Sequence, residues 1–177
     1  MIKVLSSGDA KLLADIDRSE VITHCYRMQE GKLVAFAAPF AVPCWDSEEL
    51  QQLIQRNSKM RAKGGSLMAY YWEDKVIGMV SLSDQFLDQP AQFLVLDILY
   101  TSAQARGRGV ATKLFTAALT EAKARSARGL YICATPTTNT VDFYLKRGCS
   151  ILAAPNPELF AKEPEDIHLG FLIDEQE

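Results

Sequence analysis

The sequence predicts a single α/β domain of the α+β kind, with a central mixed, mostly antiparallel twisted sheet and flanking helices, and three observations point to it. Apolar segments at 66–72, 76–82 and 93–101 follow one another, joined at Glu73-Asp74 and through a polar loop containing Pro90, the pattern of an antiparallel meander. The period then changes. Ala111, Leu114, Phe115, Ala118 and Ala122 fall on one helical face between Gly109 and about Arg128, with Arg125 and Arg128 at the negative end and a stop at Gly129. Finally, 177 residues is the size of one domain, and no repeat, low-complexity tract or linker divides them.

The remaining elements follow in order. Residues 2–5 form a short first strand, and Ser7-Gly8-Asp9 offers an N-cap to a helix carrying Leu12, Leu13 and Ile16. Segments 21–28 and 32–37 flank Gln29-Glu30-Gly31, a glycine-containing link that favours a hairpin. After a loop over 39–45, Asp46 caps a helix with Leu50, Leu53, Ile54 and Met60, closed by Gly64-Gly65. Beyond the long helix come a strand at 130–134, a short helix at 138–147 ending at Gly148, and a strand at 149–153. A proline-rich loop then leads to a last strand at 167–173 and the acidic tail 174–177.

Composition narrows the function. Apolar residues make up 48% and charged residues 23%, and no apolar run nears the ~18 residues of a membrane span. The N-terminal residues lack a basic head followed by an apolar core, so a cytoplasmic location is expected. With a net charge of −3 there is no overall field to draw the chain onto nucleic acid or acidic lipid, so neither is expected as a partner. Cys25, Cys44, Cys133 and Cys149 are far apart in sequence and lie at no metal-ligand spacing with a histidine, which reads as reduced structural thiols and no metal site.

Any polyanion must therefore be held locally, and Gln104-Ala105-Arg106-Gly107-Arg108-Gly109 is suited to it. The segment lies between a strand end and a helix start, where backbone N–H groups are unpaired and the helix dipole is positive. Gly107 and Gly109 remove side chains from the approach of a pyrophosphate, and Arg106 and Arg108 add charge near it. A tight strand-to-helix turn with two solvated arginines is the plainer reading. A Walker loop would need four residues between its first glycine and a Gly-Lys pair, and a dinucleotide fold a third glycine where Thr112 stands. The segment meets neither demand.

In these residues the chain resembles the GNAT superfamily of N-acetyltransferases, whose signature Q/R-x-x-G-x-G/A is matched by Gln104, Gly107 and Gly109. Three further features stand in the family's order: the strand Asp97-Ile98-Leu99-Tyr100-Thr101, the long helix, and Phe143-Tyr144-Leu145-Lys146-Arg147-Gly148, which looks like the F/L-Y-x-x-x-G element. The likeness covers about 66–153, an acetyl-CoA-binding core, and leaves 1–65 as the region of acceptor specificity. It implies a splayed pair of strands in the sheet, acetyl-CoA as acyl donor, and a homodimer as a possible assembly. Leu99 and Thr101, with Tyr100 between them, would face the pantetheine arm. The amides of Arg106, Gly107, Arg108, Gly109, Val110, Ala111 and Thr112 would hold the pyrophosphate. Tyr144 would sit near the thioester sulfur, where a phenol can protonate the departing thiolate. Where the family often has an asparagine contacting pantetheine, this chain has Thr137, with Asn139 two residues on; either could reach the arm, and Asn139 could instead cap the helix.

An ammonium cannot attack a thioester, so the acceptor needs a base. Asp97 matches the place of a strand carboxylate in some members. Strand alternation sets it with Phe93, Val95 and Leu99 on one face, an acid among apolar neighbours whose burial would favour the neutral form. His24 and His168 are the other titratable candidates, and Tyr26, Phe40, Trp45 and Tyr71 are candidate acceptor-pocket aromatics. The leading expectation is direct transfer of the acetyl group to a primary amine of a small molecule or peptide in a ternary complex. The alternatives are a non-catalytic acyl-CoA-binding module and an interaction protein with an incidental glycine turn.

Overall fold

The structure is a computed structural model that describes residues 1–173. The acidic tail expected at 174–177 lies outside the described residues. In chain order the elements are β1 (Ile2–Val4), a 3-10 segment (Ser7–Asp15), β2 (Glu20–Gln29), β3 (Lys32–Val42), α1 (Ser47–Ala62), β4 (Ser66–Trp72), β5 (Lys75–Leu87) and β6 (Phe93–Thr101). There follow a 3-10 turn (Ala103–Ala105), α2 (Val110–Ala124), β7 (Gly129–Ala134), α3 (Thr138–Leu145), β8 (Ser150–Ile151), α4 (Pro157–Lys162) and β9 (Ile167–Leu172). One sheet runs β1-β4-β5-β6-β7-β9-β8, and β2 with β3 makes a separate ribbon. Among the described residues only β6 and β7 pair in parallel; the other pairs are antiparallel, β4-β5-β6 among them as the meander pattern implied.

Each face of the sheet is covered. On one, α2 and α3 bury Leu114, Phe115, Ala118 and Val141 against Leu94, Leu96, Leu130 and Ile132. On the other, the 3-10 segment and α1 bury Leu13, Ile16 and Leu53 against Leu67, Met79 and Ile98. Leu96 and Ile98 share sequence parity yet enter opposite cores. The cause is a β-bulge: Leu96 faces Leu82 and Ile98 faces Ser81, so Asp97 is the extra residue. A bulge bends its strand and adds twist. At the same place β6 parts from β7, for their pairing ends at Leu96 and Ile132 although β6 continues to Thr101 and β7 to Ala134.

Local chemistry accounts for the boundaries, including those that differ from the sequence pattern. Asp46 caps α1 by accepting from the amides of Glu48 and Glu49. Gly65 is obligatory, since a Cβ there would stand 2.8 Å from the Leu82 carbonyl oxygen. The strand expected to stop at 37 runs on as β3 to Val42, because Pro39 falls in the register break between Ile22 and His24, where no ladder bond is asked of it. α2 stops at Ala124 rather than near Arg128: Ser126 adopts a φ of 59° and the Ala127 amide closes on the Ala122 carbonyl at 2.9 Å. β8 is shorter than the expected 149–153. α4, which the sequence pattern left as loop, is capped by Asn156 with Pro157 in its first turn.

Candidate active site

Where β6 and β7 diverge, a cleft of about 610 Å³ opens between the strand ends, the turn into α2, the start of α3 and the entry to the ribbon. Its floor is backbone. Gly107 and Gly109 both have φ of 75°, a left-handed conformation that L side chains resist, and Gly109 is the N-cap of α2 without a side-chain cap. A Cβ on Gly109 would meet nothing within 4 Å, so open space lies before it. The amide-bearing residues Gly107, Gly109, Val110, Ala111 and Thr112 face the cleft beside the positive end of α2.

The flanking side chains are deployed differently from the sequence expectation. Arg106 lines the cleft, but its guanidinium donates to the carbonyls of Ser19 at 2.8 Å and Arg18 at 3.1 Å, tying the turn to the chain before β2. Gln104 and Arg108 line a second cavity instead. A further cation at the cleft, to which the sequence reading gave no role, is Arg147. It donates to the Phe143 carbonyl at 2.7 Å and to the Thr112 hydroxyl, and lies 3.5 Å over the Phe143 ring. Its Nε is buried without a partner among the described residues. Its position at the end of the F/L-Y-x-x-x-G element was the available signal.

Along the walls, Leu99, Tyr100 and Thr101 of β6 have β5 on one edge and the cleft on the other. Tyr100 stacks edge-on with Trp45 at 5.1 Å, and burial pushes its phenol up. Tyr144 lines the cleft from α3 with 5% of its surface exposed, held edge-on to Phe115 at 5.9 Å. Burial raises its pKa, so the phenol stays protonated across the neutral range. Thr137, not Asn139, caps α3; Asn139 donates to Glu20 of β2 at 2.9 Å. Both line the cleft.

Asp97 lines the cleft too, in surroundings unlike those expected. Because it is the bulged residue, strand alternation does not set it among apolar neighbours. Its carboxylate forms an ion pair with Arg56 at 3.0 Å and accepts from Asn57 at 3.4 Å, with 24% of the side chain exposed. His24 is exposed on the ribbon, beside the Thr23 hydroxyl. His168 is buried: Nε2 donates to the Glu163 carbonyl at 2.9 Å, so Nδ1 accepts from the Tyr131 hydroxyl at 2.7 Å. That hydroxyl in turn accepts from the Asn156 amide at 2.9 Å. Cys133 lines the cleft with Sγ 3.8 Å from His168 Nδ1, a neighbour invisible in sequence, but burial pushes the thiol up to about 12.

None of the four aromatics proposed for the acceptor pocket lines the cleft. Tyr26 donates to Asp142, Trp45 donates to the Ile16 carbonyl under Arg18, Tyr71 packs beneath Lys3, and Phe40 is exposed on the ribbon. The acceptor-side lining comes from Arg18, Glu20, Ile22 and Val42. Arg18 is paired with Glu49, whereas Glu20 has no cation partner among the described residues. No group of three or more His, Cys, Asp or Glu gathers as a metal site among the described residues, and no helix there is long and apolar enough to cross a membrane.

The model described as the Acetyltransferase (GNAT) family matches residues 31–149, and the chain belongs to that family. It is thus an acyltransferase whose donor is acetyl-CoA, and the cleft suits that donor: backbone amides for a pyrophosphate and a free strand edge for an extended arm. Solved structures agree in fold. Nourseothricin acetyltransferase is 17% identical, covering 97% of each chain at a TM-score of 0.72. A protein from Bacillus anthracis str. Ames, provisionally assigned as a streptothricin acetyltransferase and solved with acetyl coenzyme A, is 14% identical over 98% of each chain at 0.74. An aminoglycoside 6'-acetyltransferase type Ii is 17% identical, over 100% of this chain and 99% of that one, at 0.66. No curated protein matches the chain in sequence.

Proposed function

We propose that the chain transfers the acetyl group of acetyl-CoA to a primary amine of a small molecule or peptide, by direct attack in a ternary complex. One observation carries this reading: the glycine turn, the free edge of β6, Tyr144 and Asp97 all line one continuous cleft. Acetyl-CoA supplies the activated acyl thioester. The amides from Arg106 to Thr112 hold its pyrophosphate, Leu99 and Thr101 offer backbone groups to the arm, and Thr137 or Asn139 adds a polar contact beside it. Tyr144, kept protonated by burial, is placed to give its proton to the departing thiolate. Asp97 is the candidate to take the proton of the amine. Direct transfer is favoured because Cys133, the thiol in the cleft, is held neutral and is a poor nucleophile in that state.

Residues 1–65 provide the acceptor side in this reading, consistent with the cleft lining at Arg18, Glu20 and Ile22. The neighbours named for nourseothricin and aminoglycosides support a small-molecule acceptor. The test is Tyr144→Phe, assayed for CoA release against polyamines, aminoglycosides, amino acids and peptide N-termini. Only the phenolic oxygen is removed, so acetyl-CoA affinity should hold while kcat falls by roughly ten- to a thousandfold, since general acid help is typically worth 10²–10⁴. A folded variant with parental kcat, where chemistry limits turnover, would make Tyr144 a packing residue.

A further inference from the structure

A second cavity of about 480 Å³ lies between the β4–β5 hairpin and the start of α2. That volume is in the range of small-molecule sites. Its lining is unlike that of the acetyl-CoA cleft. The hairpin contributes Tyr70, Trp72, Glu73 and Lys75, the turn into α2 contributes Arg108, and α2 itself contributes Lys113. Three cations thus stand against one carboxylate in a chain whose net charge is −3. Among the described residues none of the three cations is in an ion pair.

The aromatic pair gives the cavity its second character. Tyr70 is 9% exposed and forms part of the floor, with Lys113 Nζ 3.4 Å from its hydroxyl and 5.5 Å from its ring centroid. An ammonium can only donate in that contact, so the phenolic proton is free to donate to something else. Trp72 is 55% exposed, a large ring left in solvent at the edge of a cationic hollow. Ile77, Ala105 and Val110 supply apolar wall.

We propose that this cavity is a binding site for an aryl carboxylate, distinct from the acetyl-CoA cleft. The planar ring stacks on Trp72, and the carboxylate is held by Lys75, Arg108 and Lys113 with the Tyr70 hydroxyl as a further donor. Ala105 and Val110 line both cavities, so an occupant here presses on the same turn that faces the cleft. Binding at the two sites is therefore coupled, and equilibrium coupling is reciprocal.

The test is calorimetry of the full chain with 2-naphthoate as the probe and neutral 2-naphthamide as its control. Trp72→Ala and Lys75→Glu serve as variants, since neither residue lines the cleft. The expected result is one site for 2-naphthoate, with affinity about tenfold weaker or worse for the amide and for each variant, and acetyl-CoA turnover of both variants at the parental rate. Saturating acetyl-CoA should change the 2-naphthoate affinity without abolishing binding. No binding of 2-naphthoate at millimolar concentration, equal affinity for the amide, or unchanged affinity in both variants would overturn the site. Complete displacement by acetyl-CoA would place the probe in the cleft and overturn the proposal as well, and an unchanged affinity would overturn the coupling. Acetyl-CoA binding and turnover are read separately, so failure here leaves the acetyl-transfer reading intact.

Discussion

The two walls of the cleft are braced by different chemistry. Behind β7 lies a hydrogen-bond chain with a buried Tyr131–His168 pair at its middle, in which the Asn156 amide, the Tyr131 hydroxyl, His168 and the Glu163 carbonyl are joined at 2.9, 2.7 and 2.9 Å. Behind β6 lies an ion pair that water reaches, Asp97 with Arg56, at side-chain exposures of 24% and 56%. Beneath that pair Asn57 is fully buried, accepting from the Ser81 hydroxyl at 2.7 Å. The buried middle of such a chain fixes shape, because each unmet donor or acceptor there carries a full desolvation cost. A carboxylate paired with an exposed guanidinium fixes less, because such pairs are worth little. The β7 wall holds geometry, and the β6 wall turns a carboxylate toward the cleft.

The largest effect is expected where the walls meet. Gly109→Val sets a β-branched residue at a φ of 75° and fills the open space before the turn. Acetyl-CoA affinity should fall by about a hundredfold while the circular dichroism spectrum persists. Parental affinity in a folded variant would mean that the floor does not hold the pyrophosphate. Next comes the closed wall. Tyr131→Phe strands His168 Nδ1 and the Asn156 amide together, and about 1–3 kcal/mol of stability should be lost, read as a lower denaturant midpoint. A loss no larger than that of Asp97→Asn would erase the contrast between the walls.

A third prediction concerns the edge of the closed wall. Burial first, then the charge of Glu163, lifts Asp166 from its ordinary 3.8 to about 6 in the folded chain. The folded state then binds a proton more tightly than the unfolded state. Its stabilising contribution is complete below about pH 4 and is lost as pH rises to about 6. Asp166→Asn does not titrate, so its stability advantage over the parent should open between those values and stay level above them. Allowing for partial solvation, about 1–2 kcal/mol is expected at pH 8. Parallel melting curves across that window would remove Asp166 as the titrating group.

The same contrast explains what was legible in the sequence. The place of the floor could be read because its geometry resides in backbone: two glycines at fixed offsets, a strand before them and a helical period after them. Tyr144 could be read because its neighbours in sequence carry its context. The braces could not. Arg56 and Asn57 reach Asp97 from α1, 41 and 40 positions away, and His168 reaches Tyr131 across 37. No local pattern announces such meetings. The bulge that releases Asp97 from strand alternation is likewise a property of the β5–β6 register rather than of either strand, so a parity count along 93–101 goes astray at its fifth residue. Aromatics were poor guides to the acceptor side because Trp45 and Tyr71 pack against cations, Tyr26 donates to Asp142 and Phe40 stays exposed.

The smallest stability effect, and the sharpest functional one, belongs to the open wall. Asp97→Asn removes the charge partner of Arg56 but keeps an oxygen that can accept from it, and exposed pairs are worth about 0–1 kcal/mol, so the melting temperature should scarcely move. Activity separates two roles that geometry alone leaves together. A base is needed only while the acceptor arrives as an ammonium, so loss of the base should lower kcat/KM most near neutral pH and be partly relieved as pH rises and the free amine appears. A brace has no such dependence; its loss lowers the rate by the same factor at every pH. Arg56→Ala completes the pair, because it leaves the carboxylate and removes the cation. If Asp97 takes the proton, Arg56→Ala retains turnover with a displaced pH–rate profile while Asp97→Asn shows the pH-dependent loss. If the two variants lose equal activity with the parent's profile, Asp97 only positions β6, and the proton leaves by another route such as Glu20 or a chain of water.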